Sequence, residues 1–154
     1  MTKKRVIVLS FLSVLLTATL IFIWGNSILT ITKSSSVSNG LYKRLAPFFN
    51  LIFGEGVITH SVFRKLAHFC EFFILGLELN LILVTLKRGY VETLVFSLIF
   101  GLFIATVDET LQVISRRGSS ILDVLIDFGG ILLSAVIIFI INKILSKKIK
   151  KALD

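Results

Sequence analysis

Only one cysteine, Cys70, occurs among the 154 residues, so an intrachain disulfide is excluded. With His68 the one histidine inside the apolar runs, a zinc site built on Cys/His spacing lacks its ligands as well. No internal repeat occurs, and no low-complexity tract beyond the serines of 34–38. The first apolar run ends in Ile23-Trp24-Gly25-Asn26, with no small-x-small cleavage site, which favours a retained anchor over a signal peptide. Acids are scarce: nine against seventeen basic residues, for a net charge of +8. The basic residues flank apolar runs and build no soluble patch, so no nucleic-acid partner is expected.

What the chain has in abundance is hydrocarbon. It is 55% hydrophobic with a mean hydropathy of +0.95, too apolar for a soluble domain. Apolar runs fall at about 6–24, 66–86, 93–114 and 121–141, each near the ~20 residues that cross ~30 Å of hydrocarbon. The expected fold is therefore all-α: an integral membrane protein forming one domain over 1–154, with four transmembrane helices and a long loop, 25–62, after the first. The loop is read as a serine-rich portion followed by an interfacial amphipathic helix, with Tyr42, Leu45, Phe48, Phe49, Ile52 and Phe53 at helical spacing. Pro47 interrupts that spacing or begins the helix. Short inner segments rich in Lys and Arg place both termini in the cytoplasm. The Lys143 to Lys151 cluster suits anionic lipid headgroups, so membrane lipids are expected partners.

Six acids nevertheless lie within the last three spans: Glu71, Glu78, Asp108, Glu109, Asp123 and Asp127. Ionisable groups in a bilayer are costly unless they face protein or a wet cavity, which makes these residues candidates for function. Taking about 100° per residue, Arg64, His68, Glu71, Leu75 and Glu78 share one narrow stripe of the second span. On the third span Asp108 and Gln112 continue into Ser97, Gly101 and Ala105. On the fourth, Asp123 and Asp127 continue into Gly130 and Ser134. Small residues on those stripes let helix backbones approach, so these faces meet protein. At ~1.5 Å per residue, Glu71, Asp108 and Asp127 share one depth, with His68, Gln112 and Asp123 above them.

The expected result is a polar pocket opening to the outside. His68, Glu71 and Asp108 are candidates for general acid and base work. Arg64, Lys65, Arg116 and Arg117 suit phosphate or carboxylate groups at its mouth, and Glu109, Gln112, Asp123 and Asp127 complete the candidate binding residues. The bland alternative is a structural network holding three helices together. Carboxylates suit Mg²⁺ or Ca²⁺, but no residue pattern requires a metal, and none names a cofactor.

The segments Arg64-Lys65-Leu66-Ala67-His68-Phe69-Cys70-Glu71-Phe72-Phe73-Ile74-Leu75-Gly76, Asp108-Glu109-Thr110-Leu111-Gln112, and Arg117 with Asp123-Val124-Leu125-Ile126-Asp127 and Gly130 resemble, in order and spacing, the motifs of the VanZ-like family of small bacterial membrane proteins. Two departures stand out. The interval from Gln112 to Arg117 is one residue short, so Arg116 and Arg117 compete for the family arginine, and the usual proline-glycine before it is missing. The resemblance implies a bacterial plasma-membrane protein linked to the cell envelope and, for some members, to teicoplanin-type resistance. The leading expectation is a pocket that binds an amphiphilic envelope molecule, a lipid-linked cell-wall precursor or a lipoglycopeptide, with modification of that molecule left open. A non-catalytic barrier protein and a proton-coupled carrier using Glu78 remain open beside it. Four helices are few for a carrier, which would require a homo-oligomer.

Overall fold

The computed structural model describes residues 2–29, 31–116 and 120–153. Among the described residues five helices follow one another: α1 (Lys3–Ile28), α2 (Ile31–Phe53), α3 (His60–Thr85), α4 (Tyr90–Ile114) and α5 (Ile121–Leu153). Four of them, α1, α3, α4 and α5, are long and apolar enough to cross a membrane. The chain is thus an all-helical, multi-pass membrane protein. Each spanning helix exceeds its predicted run, because helical hydrogen bonding continues through the polar ends that hydropathy alone leaves out. In α1 that extension matters, since it brings Ser27 into the last turn.

The loop after the first span is the main correction. Most of 25–62 is the helix α2, which runs through the serine-rich stretch and through Pro47. Serines do not break it because their hydroxyls bond back to the turn before: Ser36 Oγ donates to the Lys33 carbonyl at 2.8 Å and Ser38 Oγ to that of Ser35 at 3.3 Å. Pro47 therefore neither begins the helix nor ends it. α2 rests on the start of α3 through its aromatic face. The rings of Tyr42 and Phe49 lie 5.8 and 5.9 Å from that of Phe63, and the Tyr42 hydroxyl donates to the Ile58 carbonyl at 2.9 Å.

α3 is the hub, packed most extensively on α5 and also against α1, α2 and α4. Among the described residues the interior holds as many polar side chains as apolar ones, whereas Val14, Ile99, Leu125 and Cys70 face outward. Cys70 thus lies on the outer face of α3 and not in its packed interior. Lipid is as apolar as leucine, so burial of carbon does not hold such helices together; close packing and interhelical hydrogen bonds do. The packing is at backbone distance. A Cβ on Gly130 would meet the Phe69 carbonyl and, at 2.8 Å, the Phe73 amide. One on Gly76 would collide with the Ser134 hydroxyl, and one on Gly101 would stand 2.5 Å from Ile131 Cδ1. The predicted Gly130-x-x-x-Ser134 contact is thereby located: it seats α5 on α3.

This contact gives a direct test. Gly130→Ala must push two backbones apart and is expected to lower stability by about 1–3 kcal/mol, read from the midpoint of detergent-induced unfolding. Gly40→Ala on α2, where nothing lies within 4 Å of the added carbon, is expected to be neutral or to gain up to about 1 kcal/mol.

Candidate functional site

The start of α3, the end of α4, the start of α5 and the end of α1 meet at one end of the bundle. Asp108 is the centre of that meeting. It is fully buried, and its carboxylate accepts from two donors: Ser27 Oγ of α1 at 2.5 Å and Gln112 Nε2, one turn along α4, at 2.8 Å. Beside it, Glu109 Oε1 accepts from the Ser120 amide at 2.7 Å, which ties the end of α4 to the start of α5. Ser115 Oγ donates to the Ile28 carbonyl at 3.2 Å, and α1 is thereby held at the same corner.

The predicted stripes of α3 and α5 converge there. His68 Nδ1 stands 3.9 Å from Asp127 Oδ1 and 4.0 Å from Glu71 Oε2, distances at which charges attract but no hydrogen bond forms. Lys65 Nζ lies 3.4 Å from Asp123 Oδ1 in a partly exposed pair. Asp123 also occupies the first turn of α5, where the helix dipole favours a negative charge. One potential ligand atom from each of His68, Asp108 and Asp127 lies within 4.8 Å of the others. A metal-compatible group therefore arises across three helices, in a form that spacing along one helix could not reveal.

Two cavities border this cluster. A small one, about 10 Å³, is lined by Arg64, Lys65, His68, Gln112, Asp123, Ile126 and Asp127, with room for about one water-sized occupant. A mainly apolar cleft of about 170 Å³ runs between α1, α2 and α3 and is lined by Phe22, Leu41, Phe63 and Ala67 together with Arg64, His68 and Glu71. A further apolar recess of about 230 Å³ lies between α1 and α3 and shares Phe22 and Glu71 with that cleft. Asp108 and Glu109 line none of these spaces. Arg116 is exposed, takes a left-handed backbone conformation at the end of α4 (φ 56°), and borders neither cavity. Arg117, the other candidate for the mouth, lies outside the described residues.

Sequence reasoning missed α1. Thr19 Oγ1 donates to Glu78 Oε1 at 2.9 Å, and Ser27 holds Asp108. A signal existed: Thr19, Ile23 and Ser27 recur every four residues on one face, and Ile23 and Ser27 are fully buried. Glu78, on the polar stripe of α3, thus has its partner on α1. Asn80 was also missed. Fully buried on α3, it donates from Nδ2 to the Gly76 carbonyl at 2.7 Å.

The Ser27–Asp108 hydrogen bond should be measurable. In a double-mutant cycle of Ser27→Ala with Asp108→Asn, the coupling is expected at about 0.6–1.7 kcal/mol, the range for hydrogen bonds between membrane helices, read from detergent unfolding of the four proteins. A coupling of zero would mean that the hydroxyl does not hold the carboxylate.

No match is found among curated proteins, and none among solved structures. The profile of the VanZ/LLP1 family, however, matches residues 10–142. That stretch contains α2, α3 and α4 whole, most of α1 and α5, and every residue placed around Asp108 above. The chain belongs to the VanZ/LLP1 family.

Proposed function

We propose that this protein binds an amphiphilic molecule of the bacterial cell envelope, a lipid-linked cell-wall precursor or a lipoglycopeptide of the teicoplanin type. In this reading the site end of the bundle faces the cell exterior and both termini are cytoplasmic. The observation that carries it is the junction of the two cavities: the apolar cleft beneath α2 and the polar cavity share Arg64 and His68. An acyl or prenyl chain lies against Phe22, Leu41 and Phe63, while a phosphate or carboxylate group meets Arg64 at the polar end of the same cleft.

Within the same reading, chemistry on the bound molecule falls to His68 and Glu71. Both are partly exposed and line the cleft, so His68 is positioned to carry a proton and Glu71 to balance its charge. Asp108 supports them from behind, because each of its oxygens accepts one hydrogen bond, from Ser27 or from Gln112, and it borders neither cavity. A second reading, binding without chemistry, is favoured by the burial of Asp108 and Glu109, which leaves most of the carboxylate cluster out of a ligand's reach.

Arg64→Ala removes the cation shared by both cavities. It is expected to weaken binding of an undecaprenyl-phosphate probe in nanodiscs by roughly 10- to 100-fold, the equivalent of one charge-assisted hydrogen bond. Exposed Arg88, at the opposite end of the bundle, serves as the control. Unchanged affinity in Arg64→Ala would overturn the reading. Mass spectrometry of the envelope from expressing cells then divides the alternatives: a new lipid or glycopeptide species that disappears with His68→Ala marks a reaction, and an unchanged profile with the pocket still required marks passive binding.

A further inference from the structure

We infer that His68, Asp108 and Asp127 form a site for one divalent transition-metal ion. Asp127 is the observation that requires explanation. It is 1% exposed, and neither carboxylate oxygen has a hydrogen-bond partner among the described residues. A buried carboxylate without donors loses its hydration and gains nothing in return, so such groups are normally paired or coordinate metals. Among the described residues its ion-pair partner is His68, whose Nδ1 is 3.9 Å away, beyond hydrogen-bond range. That gap, with Asp108 as the third wall, is where an ion fits.

The donor distances suit this. Three ligand atoms each about 2.1 Å from one metal stand roughly 3.0 to 3.6 Å apart, and the three candidate atoms lie within 4.8 Å of one another. Side-chain adjustments of about 1 Å close the set. One imidazole nitrogen with two carboxylate oxygens is a donor set for Mn²⁺ or Zn²⁺ more than for Mg²⁺ or Ca²⁺, which take oxygen alone. Asp108 has the outer support that metal-binding carboxylates carry. Ser27 and Gln112 each occupy one lone pair and fix its orientation, and each oxygen keeps a second lone pair for an ion. The positive charge also offsets repulsion between Asp108 and Asp127, while Lys65 is engaged with Asp123 at the rim. The small cavity that His68 and Asp127 line with Arg64 adjoins this donor set. This site is defined by its donors alone and does not depend on which amphiphile the cleft accepts.

The test uses the full chain in phosphatidylcholine nanodiscs, stripped with chelator and titrated with Mn²⁺ and with Zn²⁺ in phosphate-free buffer. One ion of at least one of the two metals is expected per chain, saturable and reversed by chelator. Asp127→Asn and His68→Gln are each expected to weaken binding by at least about tenfold, whereas Glu92→Gln, exposed at the far end of the bundle, leaves it unchanged. Should the site variants fail to fold, pulsed electron paramagnetic resonance of Mn²⁺ on the wild-type chain reads the ligand directly as a ¹⁴N coupling from one imidazole. Retention of neither metal, binding that persists in Asp127→Asn, or bound Mn²⁺ without nitrogen coupling would each overturn the proposal.

Discussion

Hydrocarbon cannot solvate a carboxylate, and this bundle carries a cluster of them at one end. Everything else in the structure is arranged to keep Asp108, Glu109 and Asp127 among protein atoms and away from lipid. Three helices could not do it alone. α1 has no charged residue beyond its first turn, yet its last turn supplies Ser27 to Asp108 and, two turns earlier, Thr19 to Glu78. The helix that looks like a plain anchor is thus the fourth wall of the polar interior.

Enclosure requires proximity, and proximity requires small residues. Gly76, Gly130 and Ser134 bring α3 and α5 to backbone contact one to two turns beyond His68 and Asp127, so the same two helices that meet most closely also carry the facing ionisable groups. Because one side chain of ordinary size at Gly130 would separate the backbones, the position of Asp127 relative to His68 is set by glycine at a distance. The polar contacts then fix what packing leaves free. Glu109 ties α4 to α5 through the Ser120 amide, and Ser115 ties α4 to α1. Each is a modest interaction by itself, about 1 kcal/mol in a membrane protein, and their arrangement around one corner is what gives that corner a single geometry.

Much of this was legible in the sequence because charges stand out against apolar runs. The stripes of α3, α4 and α5, their shared depth and the small-residue contact of α5 all follow from counting residues around a helix, and the family motifs point to the same positions. What was illegible has physical causes. A threonine or serine in an apolar helix normally bonds its own backbone, so Thr19 and Ser27 carry no obvious signal until a facing acid is known. The serine-rich stretch and Pro47 suggest a loop by composition, but serine hydroxyls that bond back to the previous turn fit within a helix, and α2 continues through both. The relation of His68 to Asp108 and Asp127 is tertiary, and no spacing within one helix encodes it.

The burial pattern separates two kinds of work among residues that motif reading treats alike. Asp108 and Glu109 are adjacent, both acidic and both matched to the same family segment, yet neither borders a cavity and both accept hydrogen bonds that join helices. His68, Glu71, Arg64 and Asp127 have the opposite character: they border spaces a ligand or ion can occupy, and His68 Nδ1 stands 3.9 Å from Asp127 and 4.0 Å from Glu71. Loss of Glu109 therefore acts on the frame first and on the site through it, loss of Asp108 acts on the frame and on the inferred ion site together, and loss of His68 or Arg64 acts on the site with the frame largely intact. A variant series that scores activity alone would merge these two groups. Scored for unfolding and for binding together, the series separates along the line that the hydrogen bonds draw.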